Sequence, residues 1–169
     1  MITVDYVRMM AKYNSEMNRR IFADAEVLTD AQRRDDRGLF WKSLHGTLNH
    51  LLWADRQWMS RLDNWTPNTL SLTQSLALIQ DFEELRQERR KADVKIEEHA
   101  QRIDNEWLSE DLTWFSGAAG REMRLGKRGL MVHFFNHQTH HRGQAHAALT
   151  MSGIKPMDTD LLLVIKDFI

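Results

Sequence analysis

Five of the eight histidines lie close together in the C-terminal third of the chain: His133, His137, His140, His141 and His146. At about 100° per residue, His137 and His141 fall on one face of a helix, with their Cβ atoms about 5–6 Å apart. Two imidazoles in that relation can bind one metal ion. The spacing therefore indicates a metal site on this helix.

Two imidazoles leave a divalent ion underligated, so a third ligand is expected from another helix. His50 is the best candidate, because it lies on a stripe of polar and small residues beside the apolar face of an earlier helix. His45 is about 140° away around that helix, which excludes it from the same site. Of the remaining histidines, His133 and His140 are expected at the rim of the site, His99 on the surface, and His146 exposed or in packing contact.

The residues around the histidines restrict the chemistry. Gln138 follows His137, whereas zinc proteases of the His-Glu-x-x-His type need a glutamate base there, so that mechanism is excluded. No Asp or Glu occurs between Met123 and Met157, and a carboxylate base would have to come from Glu16 or Asp55. Alternatively the ion supplies the base, because three neutral ligands let it lower the pKa of bound water to about 7.

Composition excludes several other functions. The 169 residues include no cysteine, which rules out disulfides, thiolate zinc sites and a cysteine nucleophile. The net charge of −1 provides no positive field for nucleic acid. The N-terminal segment is unlike a signal peptide and no apolar run is long enough to span a bilayer, so we expect no membrane partner and a cytoplasmic location.

Apolar periodicity predicts one all-α domain over residues 1–169, with long helices and a short β-hairpin before the last of them. Ser71 and Gln74 form a candidate capping box for the third helix, whose charged residues between 83 and 91 should face solvent. The tail from residue 160 should pack on the bundle. The predicted helices cover 4–28, 39–63, about 30 residues up to 103, and 130–152, with a solvated connection at 29–38 and the hairpin strands at 112–116 and 121–125.

The two histidine-bearing segments resemble the DinB (damage-inducible) family. One runs from His45 to Asp55 and the other is the His-x-x-x-His-Arg-Gly-Gln block from His137 to Gln144. The resemblance covers essentially the whole chain. It implies a four-helix bundle in which His50, His137 and His141 bind a divalent ion, often assigned as nickel or zinc, and it favours a homodimer. The wider superfamily includes transferases and isomerases that use low-molecular-weight thiols.

Two functions from different classes remain open. The first is a metal-dependent enzyme, either a thiol-dependent transferase or a hydrolase, in which Arg142 and Gln144 orient an unknown small-molecule substrate. The second is a noncatalytic, metal-binding stress-response dimer, which a fourth protein ligand on the ion would favour. DNA binding is disfavoured, because the chain has no basic stripe.

Overall fold

The computed structural model describes residues 2–117 and 119–165, and these are mostly helical. The predicted all-α architecture with one short hairpin is confirmed. None of the described helices is both long and apolar enough to cross a membrane. The elements in chain order are α1 Val4–Glu26, α2 Asp30–Arg34, α3 Leu44–Leu62, a 3-10 segment Leu72–Ala77, α4 Phe82–Arg102, α5 Asn105–Ser109, β1 Asp111–Ser116, β2 Arg121–Gly126, α6 Lys127–Met151 and α7 Leu161–Val164.

The four long helices form the bundle. Helix α1 packs on α4 and α6, and α3 packs on the same two helices from the other side. One apolar cluster joins the C-terminal halves of α1 and α6 to the N-terminal halves of α3 and α4, and a second cluster joins the opposite halves. Helices α1 and α6 therefore run in one direction, and α3 and α4 run in the other.

Two helices start at residues other than those predicted, and a side-chain cap accounts for one of these starts. The Ser43 side chain accepts a hydrogen bond from the Gly46 amide, so α3 begins at Leu44 and not at residue 39. Lys42, which precedes Ser43, has a φ of 66°, and a right-handed α-helix does not allow that angle. Helix α6 begins at Lys127, three residues earlier than predicted.

The predicted 30-residue third helix is two elements. The Gln74 side chain accepts from the Ser71 amide at 3.0 Å, as a capping box requires, but the turn that follows is the 3-10 segment and ends at Ala77. The α-helix starts anew at Phe82, where Asp81 accepts from the Glu84 amide at 2.8 Å. The predicted connection at 29–38 contains the short helix α2, which Thr29 and Gln32 cap.

The hairpin and the tail both pack on the bundle. Strands β1 and β2 pair antiparallel with Trp114 opposite Met123, and Trp114 meets Trp58 of α3 with ring centroids 5.8 Å apart. Gly120 in the connecting turn has a φ of 64°, while Ala118 lies outside the described residues. The tail packs as predicted as far as Ile165, which lies against Tyr13 of α1; residues 166–169 are outside the described part of the chain.

A layer of buried polar side chains separates the two apolar clusters. Arg89 of α4 pairs with Asp55 of α3 at 2.6 Å and with Asp93 at 2.7 Å. Asn18 of α1 donates to Asp93 at 2.9 Å. Arg89 is 2% exposed, so its predicted place on a solvated face is wrong. The solvent-exposed charged face of α4 is therefore narrower than the sequence pattern indicates. A guanidinium that is paired with carboxylates, as that of Arg89 is, can be buried.

Arg142 extends this polar layer to α6. Its Nη1 donates to Asn14 Oδ1 of α1, and its guanidinium lies 5.6 Å from the centre of the Tyr13 ring. Together with Arg89, it balances the charges of Asp55 and Asp93. The layer thus connects all four long helices without a net formal charge.

Replacement of Arg89 by methionine should cost about 3–5 kcal/mol of unfolding free energy, because it leaves two buried carboxylates without their cation. Chemical unfolding followed by circular dichroism measures this loss. The matched control is Arg90→Met on the exposed face of the same helix, with an expected change within about 0.5 kcal/mol. Equal stability of the two variants would contradict a structural role for the buried ion pairs.

The cost of Arg89→Met should also depend on pH. Burial raises the pKa of Asp93 to about 6, and Arg89 opposes that rise. Without Arg89 the pKa rises further, so the folded variant keeps a proton that the unfolded chain releases. The variant should therefore lose stability relative to the native protein as the pH rises above about 6, so that its deficit is larger at about pH 8 than at about pH 5. Unfolding curves at both pH values test the sign.

Candidate metal centre

Three imidazoles converge between α3 and α6. His50, His137 and His141 each offer one nitrogen, and these three atoms lie within 4.8 Å of one another. The Nε2 atoms of His50 and His137 are 3.4 Å apart. Two nitrogens bound at about 2.0–2.1 Å to a tetrahedral ion are separated by about 3.4 Å. The His50 and His137 nitrogens are therefore spaced as two ligands of one divalent ion, and His141 offers a third nitrogen within 4.8 Å of them.

The bundle geometry accounts for this convergence. His137 and His141 are one turn apart on α6, and their ring centroids are 4.5 Å apart. Helix α3 packs directly on α6, which brings the His50 ring to 5.3 Å from that of His137 and 4.6 Å from that of His141. His50 and His141 are buried, and His137 is half-buried.

Two hydrogen bonds hold the outer nitrogens of the imidazoles of His50 and His141. Ser75 Oγ lies 3.0 Å from His50 Nδ1, and Gln144 Oε1 lies 2.8 Å from His141 Nδ1. The amide oxygen of Gln144 accepts only, so His141 carries its proton on Nδ1 and keeps Nε2 free as a ligand. The Ser75 hydroxyl can donate or accept, and when it accepts from His50 Nδ1 it sets the same tautomer on His50. Metal-binding histidines are held in this way.

Sequence reasoning missed Ser75. It lies on the 3-10 segment, which folds against α3 and brings the hydroxyl to a histidine 25 residues earlier in the chain. The capping box at Ser71 indicated an ordered segment here, but not its contact with α3. Gln144, for which we predicted a role in substrate orientation, has its amide oxygen 2.8 Å from His141 Nδ1.

Trp41 covers one side of the centre. Its ring stacks on His50 with centroids 3.9 Å apart and planes 21° apart. The turn that holds it lies so close to α3 that a Cβ added to Gly46 would clash with the Trp41 carbonyl oxygen. The absence of a side chain at Gly46 thus permits the turn to approach α3 so closely.

Burial keeps the three imidazoles neutral. Desolvation, together with the neighbouring imidazoles, lowers the pKa of His50 to about 3 and that of His137 to about 4. Burial also lowers the pKa of His141. Neutral imidazole is the form that binds metal, so at neutral pH no proton has to be displaced before an ion enters.

A cleft of about 790 Å³ opens on the side of His50 and His137. Its walls are largely aromatic: Trp53, Trp58, Trp114 and Phe115. His133, whose ring is 6.0 Å from that of His137, lies along the same wall. The cleft has the size of a pocket for a small organic molecule.

The two candidate carboxylate bases lie elsewhere. Asp55 is buried against Arg89, and Glu16 pairs with Arg19 and Arg20 at 2.7 Å each. These arginines lower the pKa of Glu16 to about 2. No Asp or Glu lines the cleft among the residues that the structure describes.

Arg142 lies away from the histidine centre. Its side chain is buried against α1 and lines a smaller pocket with Tyr13 and Thr139. The helix accounts for this placement, because residues 141 and 142 are about 100° apart around α6. The structure therefore brings His50, His137, His141 and Gln144 together, and leaves Arg142 in the polar layer.

The remaining histidines have separate surroundings. His45 Nε2 lies 3.0 Å from the carbonyl oxygen of Ile79, outside the cluster as expected. The prediction of a surface position for His99 is wrong: it is 3% exposed, and its Nδ1 lies 3.1 Å from Asp63 Oδ1. The polar neighbours of His99 in the sequence point outward, while its own position on α4 faces the core.

Comparisons with known proteins agree with this fold. A DinB-like protein from Bacillus cereus ATCC 10987, known from a crystal structure, superposes with a TM-score of 0.65 at 17% sequence identity, over 87% of this chain and 90% of that chain. No curated protein sequence matches. A sequence model described as the DinB family matches residues 1–167. With nearly its whole length matched, the chain belongs to the DinB family.

Proposed function

We propose that this protein is a metal-dependent enzyme that holds zinc or nickel on His50, His137 and His141. The observation that carries the proposal is the convergence of three neutral imidazole nitrogens, within 4.8 Å of one another, at the end of a 790 Å³ cleft. Structural metal sites are closed by protein ligands, whereas catalytic sites keep a position open. Three ligands beside a cleft correspond to the second kind.

The ion, when bound, supplies a Lewis acid that polarises or activates a group in the cleft. Side chains of this protein orient the imidazoles, exclude water and accept a proton. Ser75 and Gln144 hold two imidazoles in the ligand tautomer, and Trp41 excludes water from one side. His133 faces the same cleft, and burial lowers its pKa, so it stays neutral and is able to accept a proton.

Transfer to or from a low-molecular-weight thiol fits the cleft better than hydrolysis that depends on a carboxylate base. The described cleft lining contains no carboxylate, and the chain contains no cysteine. A diffusible thiol would supply the nucleophile, since an adjacent cation favours the thiolate. Hydrolysis with the ion as activator of water is the second version of the same proposal.

Alanine at His50, His137 or His141 should abolish stoichiometric metal binding, because two imidazoles are too few to hold a divalent ion tightly. Elemental analysis of protein purified without chelator provides the measurement. His146→Ala, on the same helix but outside the cluster, is the control and should keep about one ion per chain. Full metal occupancy in any of the three variants would remove that residue from the site.

Ser75→Ala and Gln144→Leu should each weaken metal affinity by about 10- to 100-fold, because the imidazole they orient becomes free to turn. A competition titration with a coloured chelator measures the affinity. Thr73→Ala, on the same segment as Ser75 but without contact to a ligand, should bind metal normally. Unchanged affinity in both variants would show that packing alone orients the rings.

Cobalt should replace the native ion and show an exchangeable position. Addition of azide or 2-mercaptoethanol should change the visible spectrum of the cobalt protein, and the thiol should add a sulfur-to-metal charge-transfer band. The control is the same titration on free cobalt in buffer. A spectrum that responds to neither probe would mean a coordination shell closed by protein, and the noncatalytic metal-binding alternative would replace the enzyme.

A further inference from the structure

One guanidinium in the cleft has no acidic partner. Arg61, on α3, lines the cleft, and no ion pair joins it to a carboxylate of the described residues. By contrast, Arg56 on the same helix pairs with Glu88, and Arg102 on α4 pairs with Asp63 at 2.7 Å. Of these three arginines, the unpaired one faces the cleft.

Aromatic rings hold this guanidinium in place. Its Cζ lies 5.0 Å from the centre of the Trp58 ring and 5.7 Å from that of Trp114. Its burial without a nearby negative charge lowers its pKa. An anion that binds beside a half-buried cation in this environment takes the place of the absent acidic partner and stabilises the cation.

Arg61 lies at a distance from the histidine centre. Helix positions 50, 54, 57 and 61 all line the cleft, and eleven residues correspond to about 16 Å along the helix axis. Three ring-to-ring or ring-to-guanidinium steps of 5.0 to 6.0 Å lead from His137 through His133 and Trp58 to Arg61. One extended molecule can therefore contact both ends of this wall.

We propose that Arg61 binds the anionic group, a carboxylate or a phosphate, of an elongated substrate whose reactive end lies at the three histidines. The segment between the two ends packs on Trp58 and Trp114. This inference rests on the proposed function for the position of the reactive end, but the anion subsite stands on Arg61 and its neighbours. It selects against small acids, which cannot reach both ends.

The geometry sets the length of the molecule. Allowing for the contacts at each end, the ligand spans about 10–14 Å, which an extended chain covers in about eight to eleven bonds. A cleft of 790 Å³ accommodates such a chain. Its aromatic lining favours an apolar or planar middle segment over a sugar or a highly charged one.

A series of ω-mercaptoalkanoic acids tests this arrangement as a molecular ruler. The cobalt-loaded protein is titrated with 3-mercaptopropionate, 6-mercaptohexanoate, 8-mercaptooctanoate and 11-mercaptoundecanoate, and the charge-transfer band reports binding. We expect the two longest acids to bind most tightly. The mercaptoalkanol of each length controls for apolar contact, and the acid should exceed its alcohol by about tenfold or more only at the longer lengths.

Arg61→Gln should remove that advantage, with a loss of about tenfold or more for 8-mercaptooctanoate and little change for its alcohol or for 3-mercaptopropionate. Arg61→Lys should retain part of it, because the charge remains without the planar two-point contact. Arg56→Gln removes one positive charge from the same helix outside the cleft and should bind all probes normally. A phosphonate of the same length then shows which anion is preferred.

The experiments test the proposed function and the anion subsite at Arg61 independently of each other. If the native protein binds no cobalt, the proposed function fails, and the anion subsite is tested on the metal-free protein by quenching of tryptophan fluorescence with 8-mercaptooctanoate and its alcohol. Equal affinity of native and Arg61→Gln proteins for the acid, with or without cobalt, overturns the inference. Cobalt binding with a normal thiol response but no preference for the longer acids also overturns it.

Discussion

Charge balance in the middle of the bundle is the constraint on which the remaining structure depends. Arg89 contacts carboxylates from two helices, and Arg142 contacts a third helix from the fourth. Buried charges tolerate little displacement from their partners, so these contacts set how far each long helix slides along its neighbours. The same register places His50 on α3 at the level of His137 and His141 on α6.

The candidate metal centre combines this rigidity with a cover from a separate turn. Two ligands lie one turn apart on a single helix, so their separation does not depend on tertiary packing. The third ligand depends on the register of α3 against α6 and on the turn that carries Trp41. Rigid donors on one side of a centre and an open aromatic cleft on the other are compatible with turnover of an organic molecule.

Local sequence patterns predicted those features that depend on neighbours in the chain. The spacing of His137 and His141, the long helices and the hairpin are of this kind, because each follows from helical or strand periodicity over a few residues. The buried positions of Arg89 and His99 did not follow, since both depend on partners brought together by folding. The contact of Ser75 with His50 is equally nonlocal, and the unpaired state of Arg61 can be recognised only once every nearby carboxylate is placed.

Ser75 reaches His50 from the 3-10 segment, outside the four long helices. The group that orients one candidate ligand is thus separable from the scaffold that carries all three candidate ligands. Substitutions or length changes in this connection can alter the basicity and orientation of the His50 ring while the core keeps its packing. In evolutionary terms, the metal preference and reaction type proposed for this chain can change through one connection outside the bundle, without redesign of the interior.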